Sequence, residues 1–508
     1  MIHKKAALAV AALPLLATAC SMQGTQPASI AALGEMDRCS AVSGTLFGAR
    51  EAQGRWVAAD ANAALPAYCE VTGTLSPAAG SNIGVVYRLP ANWNGKLLGI
   101  GGGGWAGNVT LMGAAEGLKK GYATLQTDAG HSGTSVWDLS WTSNPEAVTD
   151  FQYRAIHEMT VAGKQLARAY YGRPQDRSYF QGCSTGGRMA LMEAQRFPGD
   201  YEAIISAAPV YSLQVQTSAV LRNNTFAQPG AGFSKAQLQL VNDAVLKACD
   251  AQDGVTDDVI PNPRTCNWKP AELQCRPGQS GQCLSSAQVN ALETLYRGIR
   301  TPDGEWAMFP LSMGGELGWP LFIGTEGTGQ DATGGGGLTS LTPLILGQPT
   351  FDFSRLNPDT DVPRIRSSEF ARAYEAVSPD LSAFFGRGGK LILWHGENDP
   401  GPSPVGTIDY ANKVARAVGT RADQSLRTFM LPGVEHCRGG PGADMVDTID
   451  AVDRWIETGQ APDVLIATKA DSAMKRLVCR YPQVARYRGS GDQNDPQNWT
   501  CVANQNGA

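Results

Sequence analysis

Two short stretches, far apart in the chain, carry the residue types best suited to covalent chemistry: Gly182-Cys183-Ser184-Thr185-Gly186 and His436-Cys437. The first has the G-x-S-x-G form, a sharp strand-to-helix turn that exposes a serine hydroxyl above a sheet. A serine hydroxyl is a weak nucleophile until a base takes its proton, and that base needs an orienting carboxylate. With only five histidines the choice of base is narrow. His3 lies in an N-terminal apolar segment, and His157 falls in a predicted helix, where packing or capping suits it. His131 and His395 end strands, where holding a loop is the better reading. His436 follows a strand and a Pro-Gly turn, and it alone lies beyond the candidate acid. That acid is Asp399, in His395-Gly396-Glu397-Asn398-Asp399-Pro400; Glu397 and Asp409 are its rivals, and a plain turn before Pro400 is the bland alternative. The chemistry expected is acyl transfer from an ester.

Acyl transfer also needs two N–H donors for the developing oxyanion. Thr185, next after the serine, supplies one. The other is expected from Gly101-Gly102-Gly103-Gly104, with Gly104 the best placed. This run opens no dinucleotide or phosphate-loop pattern. A second constellation, Cys249-Asp250-Ala251-Gln252-Asp253-Gly254-Val255-Thr256-Asp257-Asp258-Val259, sets carboxylates at 250, 253 and 257 around a glycine. Hard oxygen ligands of this kind suit Ca²⁺, although the spacing is not that of an EF-hand and a solvated acidic turn reads equally well. No histidine is near, so a catalytic zinc is not expected there.

These residues need elements to position them. Strands are predicted over 83–89, 96–100, 122–127, 178–181, 203–207, 390–394 and 427–431, with helices over 153–170, 189–196 and 444–458. Strands alternating with helices imply an α/β fold around a mostly parallel sheet. The rhythm is lost from 210 to 389, which reads as a lid domain inserted into a catalytic domain of 36–209 and 390–508. Lys4 and Lys5, the apolar run Ala6 to Ala19 and Ala17-Thr18-Ala19 form an export signal over 1–19, followed by a flexible leader over 20–35. No stretch is long and apolar enough to span a membrane. Cys20 either bears a lipid anchor or lies beside an ordinary cleavage site. Ten cysteines remain beyond it, enough for five disulfides in an oxidising compartment. A net charge of −5 offers no basic footprint for nucleic acid.

The assembled motifs resemble those of the tannase and feruloyl esterase family of α/β-hydrolases. They are Gly-Cys-Ser-Thr-Gly-Gly-Arg at 182–188, Gln-Arg-Phe-Pro at 195–198, the aspartate loop at 249–259, His-Gly-x-x-Asp at 395–399 and Pro-Gly-x-x-His-Cys at 432–437. The resemblance covers nearly all of the chain beyond the export signal. It implies a disulfide between Cys183 and Cys437, and the pairs Cys39–Cys69, Cys249–Cys266, Cys275–Cys283 and Cys479–Cys501. It also implies structural calcium held by side chains of Asp250, Asp253 and Asp257 and carbonyls of Val255 and Val259, and no organic cofactor. The family includes mono(2-hydroxyethyl) terephthalate hydrolases, from which the chain departs at Thr185 (a glutamate there) and Pro402 (an aromatic wall there), and in lacking a convincing arginine for the substrate carboxylate.

The expectation is therefore an exported serine carboxylesterase with a small aromatic ester as its partner, of hydroxycinnamate or gallate type, or else a terephthalate monoester. A competing class is a calcium-stabilised surface binding protein on the same scaffold; a lost member of the Ser, His and Asp set would mark it, and none is missing.

Overall fold

Nine strands form one sheet: β1 (Arg50–Val57), β2 (Tyr68–Leu75), β3 (Ile83–Pro90), β4 (Lys96–Ile100), β5 (Ala123–Thr127), β6 (Arg177–Cys183), β7 (Ala203–Ala207), β8 (Lys390–Gly396) and β9 (Leu426–Leu431), in the order β1-β2-β3-β5-β4-β6-β7-β8-β9. The structure is a computed structural model. It describes residues 30–504 apart from 106, 108, 134, 136, 280 and 327–335, so the export signal and Cys20 lie outside the described residues. From β5 to β9 all neighbours run parallel, whereas β1, β2 and β3 extend the sheet antiparallel. Every residue of β5, β7 and β9 is buried, as strands covered on both faces must be.

Side chains alternate between the two faces, since a strand has a period of two. Leu97, Phe180, Leu391 and Leu393 join one apolar cluster, while Leu98, Tyr179 and Ile392 join the other. Helices α1 (Leu111–Lys119) and α7 (Thr448–Thr458) cover the second face; α2 (Ala155–Tyr171) and α3 (Thr185–Arg196) cover the first. This arrangement is the α/β-hydrolase architecture. It adds β1 and β2 at one edge of the sheet, which the alternation of the sequence, taken up only near residue 80, does not reveal. β1 is exposed along much of its length, so no apolar run announces it. The helix expected over 444–458 begins only at Thr448, where the Asp447 side chain accepts from the Asp450 N–H. The helix expected from 189 instead begins at Thr185, directly after the serine.

Between β7 and β8 the chain forms α4 (Gln214–Phe226), α5 (Lys235–Cys249), several shorter helices and a two-stranded ribbon, Ile299–Arg300 with Trp306–Met308. Its apolar side chains, among them Leu213, Val220, Leu292, Phe309 and Tyr374, merge into the cluster beneath α2 and α3. A further helix, α6 (Pro404–Val418), follows β8, and small antiparallel sheets close the C-terminal part. Five disulfides join Cys39 to Cys69, Cys183 to Cys437, Cys249 to Cys266, Cys275 to Cys283 and Cys479 to Cys501.

Candidate active site

β6 runs straight into α3, and Ser184 is the residue between them, with φ 62° and ψ −124°. A non-glycine residue at positive φ is strained and persists only where its surroundings hold it. Those surroundings are glycine. A Cβ on Gly182 would stand 2.4 Å from the Gly186 carbonyl carbon, and one on Gly186 would stand 2.8 Å from the Gly102 oxygen. The turn therefore closes against itself and against the glycine run that follows β4. Further along α3, the buried guanidinium of Arg188 donates to the carbonyls of Gln152, Phe151 and Tyr374 and lies 4.2 Å over the Tyr374 ring.

His436 and Ser184 face the same cavity, which Gly104 and Thr185 also line. The Nδ1 of His436 lies 2.7 Å from Oδ2 of Asp399, and the Cys183–Cys437 bridge ties the loop of His436 to the end of β6. Asp399 is wholly buried. Burial pushes its carboxyl up, yet the neighbouring His436 and His395 outweigh that and hold it at about 2. His395 stands 3.1 Å from the same Oδ2 through Nε2, while its Nδ1 meets the Thr407 hydroxyl. The other carboxylate oxygen, Oδ1, accepts from the Gly401 N–H at 2.8 Å. The rival acids are engaged elsewhere: Glu397 is paired with both terminal nitrogens of Arg264, and Asp409 with Lys413. His157 stacks on Phe197 and bonds Asp200.

Two features here carry no local mark in the sequence. Arg222 of α4 is fully buried and donates to the carbonyls of Pro400 and Gly401, the two residues after Asp399, and to that of Phe309. Burial lowers its guanidinium to about 10 despite the charge of Asp399. Elsewhere in the cavity wall, Trp105 offers its carbonyl, which accepts from Trp141 Nε1 at 3.2 Å and lies 2.6 Å from His131 Nε2. A carbonyl only accepts, so His131 carries its proton on Nε2; burial also lowers its pKa. This clamp holds the chain directly after Gly104, whose φ is +59°. The glycine run alone would leave that segment loose.

The aspartate loop lies apart from this cavity, after α5. Asp250 accepts from the backbone of Asp257 and Asp258, and Asp253 from that of Val255. Burial, reinforced by Asp257 and Asp250, pushes the Asp253 carboxyl up to about 7. Asp257 binds Arg476 through Oδ2, while its buried Oδ1 has no partner. Among the described residues no three His, Cys, Asp or Glu side chains are grouped so as to hold a metal by themselves. A cation there would depend on the carbonyls of Val255 and Val259 as well. The unpartnered Asp257 oxygen and the burial of Asp253 fit such a cation.

The fold and the relatives together define a carboxylic ester hydrolase. The family model "Tannase and feruloyl esterase" matches residues 69–316 and 339–502. The chain belongs to that family. It is 34% identical over 500 residues to an uncharacterized esterase of Xanthomonas campestris, covering 88% of this chain and 86% of the relative. To the mono(2-hydroxyethyl) terephthalate hydrolase of Piscinibacter sakaiensis it is 32% identical, covering 87% and 86% of the two chains. The crystal structure of feruloyl esterase B from Aspergillus oryzae superposes with a TM-score of 0.81 at 26% identity, over 92% of this chain and all of that one.

Proposed function

We propose that the chain is an exported serine carboxylesterase acting on aromatic-acid esters of the hydroxycinnamate or gallate type. One observation carries the reading: Ser184, on its strained turn, shares a cavity with His436, whose other ring nitrogen is hydrogen-bonded to buried Asp399. In the proposed reaction His436 takes the Ser184 proton through Nε2, and Ser184 attacks the ester carbonyl. The imidazolium is stabilised by Asp399, and the oxyanion rests on the N–H groups of Gly104 and Thr185. His436 then protonates the departing alcohol, and water activated in the same way releases the acid. Trp105, Trp137 and Phe322 line the cavity and suit an aromatic acyl group. The segment 210–389 supplies part of that wall and serves as the lid.

The relationship to the terephthalate hydrolase favours a second reading, hydrolysis of a terephthalate monoester. Its substrate carries a free carboxylate, and no lysine or arginine is among the described residues lining the cavity, so the uncharged phenolic acids fit better. Export is supported by the basic and apolar leader and by five disulfides, which persist in oxidising compartments. The mass of the mature N-terminus decides between a lipidated and a plain Cys20. A structural Ca²⁺ is proposed on side chains of Asp250, Asp253 and Asp257 and carbonyls of Val255 and Val259, where it would neutralise the buried carboxylates.

The test is kcat/KM on methyl ferulate, methyl gallate and mono(2-hydroxyethyl) terephthalate, with the Ser184→Ala variant alongside. Ferulate or gallate turnover that vanishes in the variant supports the reading. Unchanged turnover in the variant refutes the serine mechanism, and the terephthalate ester as the best substrate refutes the proposed specificity.

A further inference from the structure

We infer that the Gln216 amide selects substrates by accepting a hydrogen bond from a phenolic hydroxyl on the acid part of the ester. The inference rests on the reading of Ser184 and His436 as the ester-cleaving end of the cavity. Gln216 belongs to α4, is only 5% exposed and lines that cavity, and its Oε1 has no hydrogen-bond partner. Buried polar atoms are nearly always bonded, so one without a partner inside a ligand cavity marks where a ligand group belongs.

The neighbours restrict what that group is. The walls beside Gln216 are apolar: Trp105, Trp137, Val215, Ala219 and Phe322. The other lining side chains with hydrogen-bonding capacity at the reacting end, Ser184, Thr185 and His436, are assigned to the chemistry itself. Among the described lining residues, Gln216 is thus the side chain left to accept a hydrogen bond from the remainder of the acyl group. An amide oxygen in apolar surroundings accepts from a neutral O–H and repels a carboxylate, which presents only lone pairs. A phenolic hydroxyl meets both requirements, and a terephthalate carboxylate meets neither.

The amide is also held in place. The Gln216 amide faces the buried Tyr374 hydroxyl, and the Tyr374 ring stacks on Trp105 with centroids 5.5 Å apart. Gly336, whose carbonyl accepts from Trp105 Nε1, packs so closely that a Cβ there would stand 3.0 Å from Gln216 Cγ. A pre-positioned acceptor discriminates more sharply than a mobile one, because a substrate lacking the donor leaves it buried and unpaired.

The experiment compares kcat/KM for methyl cinnamate, its 3-hydroxy and 4-hydroxy derivatives and its 4-methoxy derivative, using the full chain and the variants Gln216→Leu and Gln216→Met. The native enzyme is expected to favour at least one hydroxylated ester tenfold or more over both the unsubstituted and the methoxy ester, which corresponds to about 1.4 kcal/mol. In the variants that ratio is expected to fall to within about threefold of unity; Met conserves side-chain length if Leu disturbs folding. Three results overturn the inference: no hydroxyl preference in the native enzyme, an equal preference for the methoxy ester, or a ratio that survives both substitutions. If no aromatic ester is cleaved while p-nitrophenyl acetate is, the aromatic-ester reading fails and this inference with it. If aromatic esters are cleaved but the ratio does not move, only the role of Gln216 fails.

Discussion

Replacing Asp399 with asparagine tests the site most directly, because its surroundings dictate how the new amide must sit. Oδ1 of Asp399 accepts from the Gly401 N–H at 2.8 Å, so an asparagine keeps its carbonyl oxygen there and turns its NH₂ toward the place of Oδ2. That place faces His436 Nδ1 at 2.7 Å and His395 Nε2 at 3.1 Å. His395 retains the Pro402 carbonyl as acceptor, 3.1 Å away, but His436 has no such alternative at Nδ1. It must accept from the amide, which moves its proton to Nε2 and leaves no lone pair to receive the proton of Ser184. A wrong tautomer with intact geometry is expected to lower kcat by about 10³ to 10⁴, or roughly 4 to 5.5 kcal/mol. KM is expected to stay within about threefold, since Asp399 is not among the residues lining the cavity. The same substitution has a stability signature. The carboxyl is held at about 2 rather than the ordinary 3.8, which supplies on the order of 2 kcal/mol at neutral pH. A depressed folded-state pKa stabilises above the unfolded value and loses that contribution as pH falls toward the folded one. The gap in Tm between native enzyme and variant is therefore expected to be constant above about pH 5 and to narrow between pH 4 and pH 2. Steady-state kinetics on methyl ferulate and thermal melts across that range are the assays. A kcat within tenfold of native, or a gap in Tm that ignores pH, refutes the reasoning.

Arg222→Met removes donors from three carbonyls, two of them in the turn that presents Asp399; it is expected to lower Tm and reduce kcat at least tenfold, with Arg222→Lys in between, whereas a native kcat in a folded Met variant means the turn holds itself. Replacing Cys183 and Cys437 together with alanine is expected to reduce kcat more than it raises KM, because the bridge joins the serine turn to the histidine loop; unaltered kinetics in the folded variant reduce it to a general staple. Prolonged dialysis against EGTA is expected to lower Tm by several degrees, reversibly with added Ca²⁺, and Asp253→Asn is expected to remove that sensitivity. A Tm indifferent to both chelator and calcium overturns the calcium assignment.

Much of the scaffold is legible in the chain because its signals are local. The buried strands read as apolar runs, and the glycines around Ser184 mark a tight turn where a Cβ would clash at their positions. The order of Ser184, Asp399 and His436 follows from which strands precede them. β1 is harder to read, because an exposed edge strand need not be apolar along its length. Arg222 and Gln216 are harder still. On paper they are polar residues of one helix, α4, whose pattern has no clear polar face, and most of its positions are buried. Their roles come from segments far along the chain: Pro400 is 178 residues from Arg222, and Gln216 packs against Gly336. Periodicity and turn chemistry act over a few residues, so they specify which elements form and what groups those elements carry. Which carbonyl receives a buried guanidinium, and which amide oxygen is left without a donor beside the serine, is settled only when the segment after β7 packs back over the ends of the strands.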